Sequence, residues 1–248
     1  MESQARISRI TVLGVPIDVL PPDGIEETAF DFEDGKNHQI ILLSLWDLMR
    51  ARRPGEFRTM VMGASLVLPI SLSITKGARF LRRQEPVRYT PFDFIVRLLS
   101  ALERRGRSVY LLGSTRSVIQ KAESNVKATF PGLRVVGRYA GRYPKSIESS
   151  IIEAVRKSTP SLLLVGTGVP GRERWIPRNL SRFNSGIYLW CSDLFEVLAS
   201  RRRRASSALS RRGLDWMPYI VRRPWKVYRA FIYLWYCILL LVARLRGA

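Results

Sequence analysis

"LLLVGTGVPGRERWIPRNL", residues 162–180, is the stretch on which the reading of the fold turns. Leu162–Val165 is aliphatic without interruption, the mark of a strand covered on both faces. Gly166, Gly168 and Pro170 then break the run, and a charged segment bearing Trp175 and Ile176 follows. In open parallel sheets, ligands gather beyond strand ends of this kind, where free backbone N–H groups and helix N-termini favour anions.

Working outward, similar short runs predict strands at Ile10–Leu13, Ile40–Leu43, Thr59–Met62, Leu66–Leu68, Val109–Leu112, Leu133–Val136 and Ile187–Trp190. Apolar residues at three-to-four spacing predict helices over Phe92–Leu102, over Ser117–Phe130 with Ser114 as the cap, and over Ile147–Lys157, stopped by Thr159-Pro160. Strand and helix alternate from about residue 107 to 190, which predicts an α/β, Rossmann-like parallel sheet flanked by helices.

The 248 residues carry 41 Lys+Arg against 20 Asp+Glu, a formal charge of +21. Such a chain seeks polyanions: nucleic acid, anionic lipid or phosphorylated substrates. The excess is concentrated at one end: from Arg201 onward there are eleven arginines and one lysine against Asp215 alone. Nucleic acid is disfavoured, because no known binding signature is present and the aromatics lie beside aliphatic runs. Cys191 and Cys237 form no disulfide or zinc pattern, and His38 is the sole histidine, which argues against a Ser-His-Asp site or a histidine-based metal site. No metal or cofactor is expected. The start, MESQARISRI, lacks an apolar signal core, so a cytoplasmic location is expected.

Three strand ends carry glycine: "YLLGST" (110–115), "VVGRYAG" (135–141) and "LLVGTGVPG" (163–171). Gly113, Gly166 and Gly168 would let backbone approach a nucleotide diphosphate closely, although glycine after a strand is also ordinary turn punctuation. No GxxxxGK[ST] P-loop occurs, and the dinucleotide and ATP readings are weak. Glu173 stands where a helix would begin, and there an acid can also serve only the helix dipole.

With these residues in view, "VGTGVPGRERWIPRN" resembles the pattern VGLGxPxQExWIxxN of the WecG/TagA/CpsF glycosyltransferases, glycosyltransferase family 26. "YLLGSTRSVIQKAESNVKATFPGLRVVGRYAGRY", "ASRRRRAS" and "RRGLDWMPYIVRRPWKVYR" extend the resemblance, which runs from about Ile10 to Arg229. It implies transfer of a sugar from a UDP-sugar to a polyprenyl-diphosphate-linked acceptor, with inversion, at the cytoplasmic membrane face. It also implies substrate contacts from Arg88, Thr90, Gly113, Gly141, Tyr143, Gly166, Gly168, Pro170, Arg172, Glu173 and Trp175, and from Arg211, Arg222, Arg223 and Arg229 of the tail.

The chain also departs from the family pattern. Where the family carries an "LPDG" element whose Asp is the expected general base, "LPIS" places Ile70 and Ser71. Ser44-Leu45-Trp46 replaces the family's TxN, Arg172 its Gln, Pro91 a glycine, Asp193 another glycine and Glu196 an Asp. An isoleucine cannot accept a proton. Either Asp47 or Asp93 takes the catalytic part, with Glu173 behind them, or the chain binds without turnover inside a polysaccharide assembly complex. Asp47 and Asp93 both also read as helix-cap residues.

The domain division expected is 1–205 for the glycosyltransferase-like unit and 206–248 for a basic, aromatic appendage. Its apolar run at 230–243, about 21 Å as a helix, is short for a bilayer crossing. Arginine and aromatic flanks suit an anionic membrane surface. The other reading packs this helix on the core or on a neighbouring subunit. The chain is thus expected to be a peripheral protein of the inner membrane's cytoplasmic face, with a homo-oligomer or polysaccharide assembly complex as possible company.

Overall fold

The computed structural model describes residues 7–32, 34–201 and 228–246. Its centre is a six-stranded sheet in which every pairing is parallel. The strands are β3 (Asn37–Leu43), β4 (Leu66–Pro69), β5 (Ser108–Leu112), β6 (Arg134–Tyr139), β7 (Leu162–Gly166) and β8 (Gly186–Ser192), arranged β4-β3-β8-β7-β5-β6. The expected α/β class, with its parallel sheet flanked by helices, is what the chain adopts.

Alternate residues of each inner strand feed opposite faces. Val109, Leu111, Leu162 and Leu164 join one core with α1 (Gly24–Asp31), α5 (Pro91–Glu103), α6 (Arg116–Thr129) and α9 (Leu194–Leu198). Tyr110, Leu112, Leu163 and Val165 join another with α7 (Glu148–Ser158) and α8 (Trp175–Asn179). Burial on both faces explains why these strands are unbroken apolar runs. From β5 the chain moves outward to β6, whereas from β7 it moves the other way to β8. Right-handed crossovers therefore put α6 and α8 on opposite faces, which makes the carboxyl ends of β5 and β7 the switch point of the sheet.

A third core holds Ile41, Leu43 and Val67 against α2 (Leu45–Ala51), α3 (Glu56–Met62) and α4 (Leu72–Phe80). Here the sequence reading needs correction: Thr59–Met62 is helical, not a strand. Phe57, Met60 and Val61 are its buried residues, a helical spacing that the four-residue window conceals. Ile10–Leu13 also differs. Its first three residues lie in β1 (Ser8–Val12), which pairs antiparallel with β2 (Val15–Val19) in a separate ribbon. Leu13 and Gly14, with φ of 51° and 80°, form a two-residue turn of the kind that matches hairpin twist. Ser114 is not the cap of α6; it takes φ of 54°, and Thr115 holds the cap position without a side-chain bond. Leu133–Val136 belongs to an edge strand with alternating exposure.

The last element, α10 (Tyr228–Leu245), packs on α2 and α4 through Tyr236 and Leu240. No helix among the described residues is long and apolar enough to cross a membrane.

Candidate functional site

At the β5–β7 crevice the glycines press on one another. A Cβ on Gly113 would lie 2.8 Å from the Cα of Gly166, and one on Gly141 would lie 2.6 Å from the Thr167 carbonyl. Three chain segments are thereby stitched together: the Gly113 N–H donates to the Tyr139 carbonyl at 3.0 Å and the Gly141 N–H to that of Ser114 at 2.9 Å. The side chains missing from Gly113, Gly141 and Gly166 are thus used first for backbone approach. Gly168 and Pro170, by contrast, are exposed at the rim, and Gly168 needs its φ of 93°. Gly171 and Arg172, at φ of 77° and 57°, turn the chain sharply there, leaving Arg172 exposed.

The segment after this turn forms a ledge. Trp175 is only 2% exposed; its indole N–H donates to Glu148 at 2.7 Å and its ring lies 5.7 Å from Phe183. It supports the ledge from below, so direct substrate contact by its side chain is not what the structure favours. Tyr143 is half-buried beside it, and burial raises its phenol pKa. Arg178 and Arg174 reach Glu56 of α3 at 2.8 and 3.3 Å, and Glu173 pairs with Arg50 of α2 at 2.7 Å. Arg50 in turn stacks over Phe57 at 4.0 Å. Two clasps therefore tie the loop after β7 to the helices after β3.

Those helices present Asp47. The carboxyl ends of β3 and β4 are adjacent, Leu43 opposite Pro69, and the Ile70 N–H donates to the Leu43 carbonyl at 3.0 Å. Ser44 caps α2, and Asp47 at its third position completes a reciprocal capping box: the Asp47 N–H donates to Ser44 Oγ at 3.3 Å and the Ser44 N–H to Asp47 Oδ2 at 3.2 Å, while the Ser44 hydroxyl also donates to Oδ2 at 2.5 Å. Ser71 accepts from the Leu45 N–H at 3.0 Å. Asp47 consequently sits on the helix that starts at the strand-end edge where β4 leads into Ile70 and Ser71. Its pKa is raised above the ordinary carboxylate range, chiefly because its surroundings strip it of water. Bonds from Ser44 oppose that rise, while Glu173 adds to it and Arg50 subtracts.

Arg88 arrives from the segment before α5 and donates from Nε to the Ile70 carbonyl at 2.9 Å. Thr90 and Asp93 behave differently. The Thr90 hydroxyl accepts from the Asp93 N–H at 3.2 Å and donates to Oδ2 at 2.6 Å, and Asp93 is exposed. Asp93 is a cap residue of α5, and it takes no visible part in the Asp47 group.

Asp47, Glu173, Ile70 and Arg88 are thus gathered on one rim, beside the glycine crevice. Arg50, Ser44 and Ser71 belong with them; the sequence reading met Ser44 and Ser71 only as departures from the family pattern, and it missed Arg50. The Ser-x-x-Asp pattern at 44–47 was the available sign for Ser44. Arg50 had none beyond its place one helical turn after Asp47. Arg211, Arg222 and Arg223 lie outside the described residues, and Arg229 falls in α10 with its side chain undescribed.

The arrangement defines a doubly wound α/β protein whose charged groups converge at the carboxyl edge of a parallel sheet. Within that class the chain belongs to the Glycosyl transferase WecG/TagA/CpsF family, whose profile matches residues 10–248. An N-acetylglucosaminyldiphosphoundecaprenol N-acetyl-beta-D-mannosaminyltransferase of Bacillus spizizenii is 23% identical over 168 residues, covering 68% of this chain and 65% of the relative. The protein of that name from Bacillus subtilis is 19% identical over 171 residues, 69% of this chain and 66% of the relative. In Staphylococcus aureus strain MW2 it is 20% identical over 229 residues, 91% and 89%. The matched stretch is just under two thirds of the length of the two Bacillus relatives.

Proposed function

We propose that the chain is a glycosyltransferase that passes a hexose or hexose derivative from a UDP-sugar to an undecaprenyl-diphosphate-linked acceptor, in exopolysaccharide or cell-envelope glycan synthesis. It works as a peripheral protein at the cytoplasmic face of the inner membrane, held there in part by residues 206–248. The observation that carries this reading is Asp47: a desolvated carboxylate on the strand-end rim, within the field of Glu173 and Arg50.

In the proposed step the Asp47 carboxylate takes the proton of the acceptor hydroxyl while that oxygen bonds to the anomeric carbon. The bond from that carbon to the UDP oxygen breaks at the opposite side, so the configuration inverts. UDP leaves with the electron pair. Arg88 and Arg172 neutralise the diphosphate in this reading, since guanidinium pairs with phosphate oxygens two at a time. Gly168 and Pro170 border the nucleotide, and Glu173, steadied by Arg50, orders sugar hydroxyls. No metal or cofactor is invoked.

The test is radiolabelled transfer from a panel of UDP-sugars to a prenyl-diphosphate-linked saccharide, with Asp47→Asn and Asp93→Asn alongside. Loss with Asp47→Asn and retention with Asp93→Asn is expected. A second reading, a non-catalytic member of an assembly complex, is favoured by Ile70 alone. UDP binding by calorimetry with no transfer from any donor would select it.

A further inference from the structure

Helix α10 meets the globular body along a narrow ridge and turns its apolar side outward. Tyr236 and Leu240 are buried against α4. The Tyr236 hydroxyl donates to the Ser73 carbonyl at 2.9 Å, directly over Gly77, where any Cβ would overlap it. Farther along, Arg244 donates to the Phe80 carbonyl at 2.6 Å and stacks over the Phe80 ring. The two helices therefore run side by side in the same direction, along the edge formed by Ser73, Gly77 and Phe80.

The opposite side of α10 carries Phe231, Leu234, Trp235, Ile238, Leu241 and Leu245, exposed between 41% and 87%. At helical spacing these fall about half a turn from Tyr236 and Leu240. A contiguous apolar surface of that kind is an interaction site. On α4, the helix that α10 packs against, Lys76 and Arg79 are exposed, as are Arg82 and Arg83 just after it, Arg79 lying 4.0 Å from Glu85. An apolar stripe on one helix with cations on the helix behind it matches the acyl boundary and headgroups of an anionic bilayer. A second copy docked face to face would instead set those cations against their own counterparts.

We infer that α4 and α10 form one lipid-seating face, in which α10 enters the acyl boundary and the cations of α4 hold headgroup phosphates. The Tyr236–Gly77 lock fixes the angle between them. The inference rests on the reading that the acceptor is lipid-linked, and it extends lipid contact into the globular body. The seat is close to the chemistry: α4 begins directly after Ser71, and α10 also packs on α2, which bears Asp47.

Flotation of the full chain on phosphatidylglycerol and on phosphatidylcholine vesicles tests it. Strong preference for phosphatidylglycerol is expected, and Lys76→Glu with Arg79→Glu weakens that binding by on the order of tenfold or more. Ile238→Asp abolishes flotation without changing melting temperature or elution volume. Gly77→Leu expels Tyr236, so in that background the Lys76 and Arg79 reversals lose their effect. Equal binding to both vesicles, or indifference to the α4 reversals, overturns the inference. So does an Ile238→Asp variant that splits a dimer, or one that melts early while still floating, since the stripe is then covered by a second copy or by residues 202–227. Transfer to a short-prenyl, water-soluble acceptor is read in parallel. An unsubstituted full chain that does not float although that transfer is intact sinks the seat alone, whereas flotation without transfer leaves the seat standing and removes the catalytic reading.

Discussion

At the scale of single residues, the informative one is Asp47, because its environment works against its charge. Burial and Glu173 raise its pKa, so the folded protein binds that proton more tightly than the unfolded chain does. By linkage, the stability this confers is present at low pH and is lost as pH rises through the folded-state value. A neutral side chain should then fold better and react worse. Asp47→Asn is expected to raise the melting temperature at neutral pH while lowering kcat by about 10² to 10⁴, the range of a general base. Calorimetry and radiolabelled transfer on one preparation check both halves. The pH profile gives a second prediction. In the proposed step transfer requires the ionised form of Asp47, so the acid limb of kcat/KM is expected above the ordinary carboxylate range. Glu173→Gln removes a like charge and moves that limb to lower pH; Arg50→Met removes a cation and moves it to higher pH. Opposite displacements in the two variants would tie both groups to Asp47, and no displacement in either would detach them from it.

At the scale of elements, the glycine strand ends are a packing device before they are a binding one. Gly113 has φ of 145° and no room between β5 and β7 for a methyl group. Gly113→Ala is expected to cost about 1–3 kcal/mol, from overpacking and backbone strain together, and to loosen the crevice. A denaturant midpoint lowered at unchanged m-value checks this. The same elements show what a sequence discloses. Leu162–Val165 and Val109–Leu112 are legible because strands buried on both faces need unbroken apolar runs. Thr59–Met62 misleads for the converse reason: four residues cannot separate a strand from one turn of helix, and Phe57, which reveals the spacing, lies outside them. Asp47 and Asp93 carry the same cap signature, Ser or Thr followed three residues later by Asp. Only tertiary placement separates them, since one cap faces the strand-end rim and the other faces water. Nothing local foretells that Glu173 comes to Arg50 across 123 positions.

At the scale of the molecule, the site is closed by contacts between parts of the chain far apart in sequence, and those contacts are mostly exposed ion pairs. Glu56 receives Arg174 and Arg178, and Arg50 receives Glu173; in each pair the arginine is 38% exposed or more. Exposed pairs contribute about 0–1 kcal/mol each, so they cannot be what keeps the domain folded. Their consequence is geometric: they set the distance between the ledge that carries Glu173 and the helix that carries Asp47. Breaking one should therefore spare stability and injure function. Glu56→Gln is expected to move the melting temperature by no more than a few degrees, yet to reduce kcat/KM several-fold as the ledge drifts from α3. Salt supplies the control, because a clasp on the surface is screened within about 10 Å at 0.1 M ionic strength and more tightly above it. The wild-type advantage over Glu56→Gln should shrink as salt rises. Measured with the short-prenyl acceptor, so that vesicle binding does not enter, a gap that stays constant with salt would mean that Glu56 acts through packing and not as a clasp.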